Sequence, residues 1–219
     1  MRPLAFLFSV VFHPLIIPTY MLIILLLVNP YLFGVNELWD SRLLILIVFV
    51  STFFIPAFCV FMMKVLELIP DLQLEDRQDR IIPYIATGVF YLWLFWNLYN
   101  NNDIPVAFRN CMLGATIALF MAFFINLFSK ISVHAVGMGG LVGMIVITTA
   151  LFSYGSFTIP GSPFGGLELS MGLLLIIALL TSGIVCTSRL ILNAHNLQDL
   201  YGGFLVGMVS QFLALQFLT

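Results

Sequence analysis

The sequence predicts an all-α fold, a polytopic transmembrane helical bundle of six or seven helices, and three observations carry that prediction. Hydrophobic residues make up 62% of the 219 positions, the mean hydropathy is +1.12, and only 8% of residues are charged. A globule of this size cannot take so much apolar surface out of water, whereas a bilayer accepts it directly. The apolar residues also fall into runs of roughly 20, the length that crosses the hydrocarbon as a helix. Lipid leaves no partner for unpaired backbone, so such runs must be helical.

Seven spans are expected, near Leu4 to Val28, Leu43 to Leu66, Ile81 to Leu98, Cys111 to Phe128, His134 to Tyr154, Leu169 to Thr187 and Leu200 to Leu218. Pro14 and Pro18 interrupt the first, which reads as a kinked helix or a re-entrant segment. It is too long for a signal-peptide core and no small-residue cleavage site follows it. The charged run Glu75, Asp76, Arg77, Gln78, Asp79, Arg80 separates the second span from the third, and Lys130 to His134 separates the fourth from the fifth. The longest connections are Pro70 to Arg80 and Gly155 to Glu168, which leaves no room for a soluble domain. Residues 1–219 are therefore expected to form one integral membrane domain. Cys59, Cys111 and Cys186 lie within apolar runs and read as small buried hydrophobes. The net charge of −2 is dispersed and supplies no basic face for nucleic acid.

Counting crossings places the polar residues. With seven spans, the loops after the second, fourth and sixth emerge on one membrane face. The first contains Glu75, Asp76, Arg77, Asp79 and Arg80, the second Lys130, Ser132 and His134, and the third Ser188, Arg189, His195 and Asp199. The opposite face holds scattered charges such as Glu37, Asp40, Arg42, Asp103, Arg109 and Glu168. Histidines, cations and a carboxylate converging on one face describe a reactive anion site.

The third loop has the sharpest pattern. Ionisable groups wedged between two crossing segments are costly and read as functional. If the last helix begins near His195, then Asp199, four residues on, lies on the same face. Its carboxylate can accept the imidazole N–H, fix the tautomer and free the other nitrogen for attack or proton transfer. The pair alone would equally suit a helix terminus in need of ordering. Ser188 and Arg189 just upstream tilt the reading toward phosphate, whose oxygens a guanidinium fork and a hydroxyl fit. At the second loop, His134 opens a helix containing Gly137, Gly139, Gly140 and Gly143, while Gly202, Gly203 and Gly207 follow Asp199. Small residues at such spacing let membrane helices approach closely, drawing the two polar mouths together. In the first loop, a helical turn would put Arg77 and Arg80 on one face, aimed at one anion. His13 has no evident partner and reads as structural or as cavity wall.

These residues resemble the signatures of the type 2 phosphatidic acid phosphatase superfamily. Its third signature, Ser-Arg, five residues, His, three residues, Asp, is matched in full by Ser188, Arg189, His195 and Asp199. Its second, Pro-Ser-Gly-His, is present in reduced form as Ile131, Ser132, Val133 and His134. In the first, Arg80 stands for the Arg, Gln73 occupies the Lys position and Pro83 comes two residues late, with Arg77 or Lys130 available as the missing cation. The resemblance covers about Arg77 to Gly207, and residues 70–219 form the phosphatase-like core it implies.

The resemblance implies a metal-independent hydrolase without a cofactor. By similarity His195 attacks phosphorus to form a phosphohistidine, Asp199 orients it, and His134 protonates the leaving oxygen. Arg189, Ser188, Ser132, Arg80, Arg77 and Lys130 are the implied phosphate ligands. Positive charge around the equatorial oxygens is what phosphoryl transfer requires. His134, His195 and Asp199 would also satisfy a catalytic zinc, but a cation-rich pocket repels a divalent ion. The expected substrate is a lipid phosphate or prenyl diphosphate, whose tail stays among membrane lipids. Alternatives are a phosphotransferase passing the phosphoryl group to an alcohol, or a non-catalytic lipid-phosphate binding or transport protein. The expected location is a bacterial inner membrane. Lys and Arg favour a cytoplasmic site, with Arg2, Lys64, Arg77, Arg80, Lys130 and Arg189 against Arg42 and Arg109. Removing the four proposed phosphate ligands from that count leaves two against two, so the side of the membrane stays open.

Overall fold

The computed structural model describes residues 1–72, 74, 76–159 and 166–218. It is an all-α membrane bundle. Helices α1 (Arg2–Val11) and α2 (Ile17–Val28) are followed by α3 (Arg42–Phe49) and α4 (Ile55–Val65), then by α5 (Ile81–Tyr99), α6 (Val106–Phe128) and α7 (Val133–Leu151). Strands β1 (Ser156–Ile159) and β2 (Leu167–Ser170) precede α8 (Met171–Ile191) and α9 (Leu197–Leu218). Among the described residues, six segments are long and apolar enough to cross a membrane: Pro30–Val65, which contains α3 and α4, and α5, α6, α7, α8 and α9. The chain is a multi-pass integral membrane protein.

The first expected span is broken rather than bent. Residues 12–16 leave the helical path around Pro14, so α1 and α2 are separate short apolar helices. Helix α1 packs on α8, whereas α2 packs beside α6 and α7. The Pro30–Val65 segment carries its own irregularity, a π-helical stretch at Val50–Phe54. Pro56 lacks the N–H that would bond the residue 52 carbonyl, so the ladder widens immediately before it. The sixth span starts at Met171 rather than Leu169, because residues 167–170 pair antiparallel with 156–159 in a hairpin that apolar periodicity did not reveal. Ser170 then caps α8, accepting from the Leu173 N–H at 3.1 Å.

Helix α7 is the most buried of the crossing helices, and its seam with α9 is the closest in the bundle. Glycine makes that approach possible. A Cβ on Gly139 would overlap the Phe204 carbonyl oxygen, one on Gly207 the Val136 carbonyl oxygen, and one on Gly203 would stand 2.7 Å from the Ser132 carbonyl oxygen. The two glycine-bearing segments singled out in the sequence thus pack backbone to backbone. Above the seam, the Ser132 N–H donates to the Asp199 carbonyl at 3.2 Å, tying the second and third polar loops directly.

Candidate active site

The α8–α9 turn follows from local chemistry. Asn193 adopts a left-handed conformation (φ 54°) just past the end of α8, where the Ala194 N–H donates to the Arg189 carbonyl at 3.1 Å. Asparagine is among the few residues suited to that position. Asn196 and Asp199 then cap α9 reciprocally: the Asp199 N–H donates to Asn196 Oδ1 at 2.9 Å, and the Asn196 N–H donates to Asp199 Oδ2 at 3.3 Å. Helix α9 therefore begins at Leu197, three residues before the expected span at Leu200, and His195 stands outside it. The cap still brings the pair together, with His195 Nδ1 donating to Asp199 Oδ2 at 3.2 Å. The shared carboxylate fixes the imidazole, leaving Nε2 as its free nitrogen.

His195 lines a cavity of about 640 Å³ together with Arg80, Lys130, His134 and Arg189. All three polar loops thus reach one chamber. Arg80 is held in the wall by two backbone acceptors, donating from Nε to the Leu74 carbonyl at 2.7 Å and from Nη1 to the Ile131 carbonyl at 3.2 Å. The Arg189 Nε and the His134 Nδ1 are buried and have no hydrogen-bond partner among the described residues. Both lack the compensation that buried polar atoms ordinarily have; an oxyanion in the chamber would accept from the Arg189 Nε–H, and a protonated phosphate oxygen would donate to the His134 Nδ1.

His134 is positioned by a residue absent from every motif. Its Nε2 donates to the backbone carbonyl of Ser9 at 3.0 Å, so Nδ1 is the nitrogen that faces unsatisfied space. The ring also meets His13 edge-to-face at 5.6 Å, and His13 in turn contacts Phe53 of the π-helical stretch at 6.1 Å. The broken first segment therefore builds one wall of the chamber.

Three expected phosphate ligands stand elsewhere. Arg77 and Arg80 do not share a face, because residues 77–80 form turns rather than a helix. Arg77 donates from Nη1 to the carbonyls of Leu127 (3.0 Å) and Phe128 (2.6 Å), while its own carbonyl accepts from Asn126 Nδ2 at 2.8 Å. It serves the orphan carbonyls at the end of α6, a site that attracts a cation. Ser188 Oγ donates back to the Ile184 carbonyl of its own helix at 2.8 Å. Ser132 Oγ is buried without a partner among the described residues, yet Ser132 does not line the chamber. Gln73 and Glu75 lie outside the described residues. No three His, Cys, Asp and Glu side chains converge as metal ligands would, among the described residues.

Charge tunes His195. Burial holds its imidazole well below the ordinary value of 6.5; the hydrogen bond to Asp199 pulls the other way, and the nearby Arg80 and Arg189 guanidiniums lower it further. The neutral form is thereby kept into mildly acidic conditions. The unfolded chain, with its ordinary imidazole, binds the extra proton first, so this group contributes stability above about pH 6.5 that is lost as the pH falls toward the folded value. In detergent, the melting temperature is expected to fall as pH drops below about 6.5, and His195→Gln is expected to reduce that dependence, with the remainder owed in part to His13, whose imidazole burial also lowers to about 4. An unchanged slope in the variant would contradict this assignment.

No family model matches the chain, and neither a curated protein nor a solved structure was found to resemble it.

Proposed function

We propose that the protein is a membrane-embedded phosphatase that hydrolyses a lipid phosphate or prenyl diphosphate through a phosphohistidine, without a metal. One observation carries this reading: an imidazole whose Nδ1 is held by a carboxylate shares its chamber with two arginines, a lysine and a second buried imidazole. Each group has a use in phosphoryl transfer.

His195 Nε2 attacks phosphorus as the bond from phosphorus to the lipid oxygen breaks. Asp199 balances the charge that develops on the ring. Arg80, Lys130 and Arg189 hold the non-bridging oxygens. His134, whose proton sits on the Nε2 tied to Ser9, takes the proton of the phosphate monoanion on Nδ1 and passes it to the departing oxygen; such proton donation typically contributes about 10² to 10⁴ in rate. Water then attacks the phosphohistidine and returns its proton to His134 Nδ1. Inorganic phosphate leaves with that proton, and both imidazoles are neutral again.

The test is phosphate release by the detergent-solubilised protein from a panel of lipid phosphates, with vanadate or a chelator added. Inhibition by vanadate and indifference to chelation is the expected result. The reverse pattern would indicate a metal hydrolase, and tight binding without turnover would indicate a lipid-phosphate carrier.

A further inference from the structure

The chamber does not end at its polar mouth. From Arg80 its wall continues down α5 through Tyr84 and Thr87 to Tyr91, and on the facing side it descends α6 from Ala122 through Ala118 to Ala115. Eleven residues of α5 at 1.5 Å each make the shaft roughly 16 Å deep, about half the hydrocarbon thickness of roughly 30 Å. Met21 and Gly140 close its sides at that depth. The floor holds Gln211, fully buried, whose Nε2 donates to the Cys111 carbonyl at 3.3 Å and whose Oε1 has no partner among the described residues. Gly114 leaves the space for this amide, since a Cβ there would lie 2.6 Å from it. A shaft with cations at the top, alanine and glycine along its walls and a fixed polar stop at the bottom has the form of a sleeve for one chain.

Its capacity decides how many chains it holds. Taking about 30 Å³ for each methylene-sized group, the share of one water in the liquid, the shaft and mouth together hold roughly 20 such groups. A phosphate head with one medium tail fits within 640 Å³, whereas a second tail of bilayer length would have to lie outside it. Resting on the phosphatase reading for its head-group chemistry, we propose that the substrate is a single-chain amphiphile with a phosphate or diphosphate head. Its tail runs inside the bundle, enclosed by α2, α5, α6, α7 and α9, and Tyr91 and Gln211 set the length accepted.

The experiment uses tetradecyl phosphate carrying a photoreactive diazirine at the chain end, with the full-length protein in detergent. Label is expected in peptides containing Tyr91, Ala115 or Gln211. An octyl phosphate of the same design is expected to label higher, near Thr87 and Leu119. Unlabelled dodecyl phosphate should remove the label, whereas dioleoyl phosphatidic acid at equal concentration should not. Ala115→Leu, which shortens the shaft, is expected to cut floor labelling by the tetradecyl probe about tenfold. Chain-end label on lipid-facing residues such as Trp93 or Phe120, no label at all, or equal competition by the two-tailed lipid would overturn the proposal. Floor labelling without phosphate release on any substrate would uphold the single-chain site and defeat the phosphatase reading, so the two failures are separable.

Discussion

Replacing His195 with Gln is expected to reduce turnover by at least about 10³-fold while leaving vanadate binding nearly intact, because the group removed is the proposed nucleophile and not one of the groups proposed to hold the substrate. The proposed anion ligands survive the change. Arg80 stays fixed by the Leu74 and Ile131 carbonyls, and Lys130 and Arg189 still line the chamber. Glutamine keeps a donor near Asp199, so the α9 cap, made by Asn196 and Asp199, has no reason to unravel. Arg189→Ala should behave in the opposite way, weakening vanadate binding as well as turnover. Its buried Nε has no partner among the described residues, so little of the fold depends on it. Steady-state kinetics and vanadate inhibition on the two variants separate the roles, and near-normal turnover by His195→Gln would remove the proposed nucleophile.

The second large effect is expected far from any ionisable group. Gly207→Ala places a methyl group onto the Val136 carbonyl oxygen, with the Gly140 nitrogen 2.7 Å away. Both are backbone atoms of the most buried helix, so no side chain can swing aside. Overpacking of this kind typically costs about 1–3 kcal/mol, and a clash with rigid backbone belongs at or above the upper end. The consequence for the site is more specific than lost stability. Ser132 donates to the Asp199 carbonyl directly above the seam, so helices forced apart there separate the loop bearing His134 from the loop bearing His195. Gly202→Ala is the matched control. A Cβ at Gly202 meets nothing within 4 Å, and alanine inside an exposed helix face is expected to be neutral or to stabilise by about 0.5–1 kcal/mol. Thermal melting in detergent should show the contrast, and equal melting of the two variants would mean the seam is not what sets helix spacing.

The parts of this molecule legible in its sequence are those where physics restricts residue type. Runs of apolar residues had to be helices in lipid, and Pro14 had to interrupt the first of them. The glycines of α7 and α9 announced a close seam because only they permit backbone contact. His195 and Asp199 were recognisable by spacing, although the contact arises from a cap rather than from two positions on one helical face. What stayed hidden depended on groups without residue identity. The Ser9 carbonyl that fixes His134 is backbone and leaves no mark in a side-chain pattern. Arg77 and Arg80 look interchangeable in sequence; which one enters the chamber is decided by the unsatisfied carbonyls at the end of α6, and those attract Arg77. Ser188 fits a phosphate signature by spacing, yet its hydroxyl finds the Ile184 carbonyl one turn back, the usual local alternative for serine in a helix. The shaft leading to Gln211 is equally silent in one dimension, since its walls are drawn from α2, α5, α6, α7 and α9 and only their packing makes a void.

The account depends most on a bond between the His195 imidazole and phosphorus. Brief exposure of the solubilised protein to a lipid phosphate labelled at its phosphorus, followed by alkaline denaturation and peptide mapping, tests it directly. An acid-labile, base-stable phosphate on the peptide containing His195 is the predicted result, with the label lost in His195→Gln. Continued release of phosphate by a protein that never carries label on that histidine would contradict it.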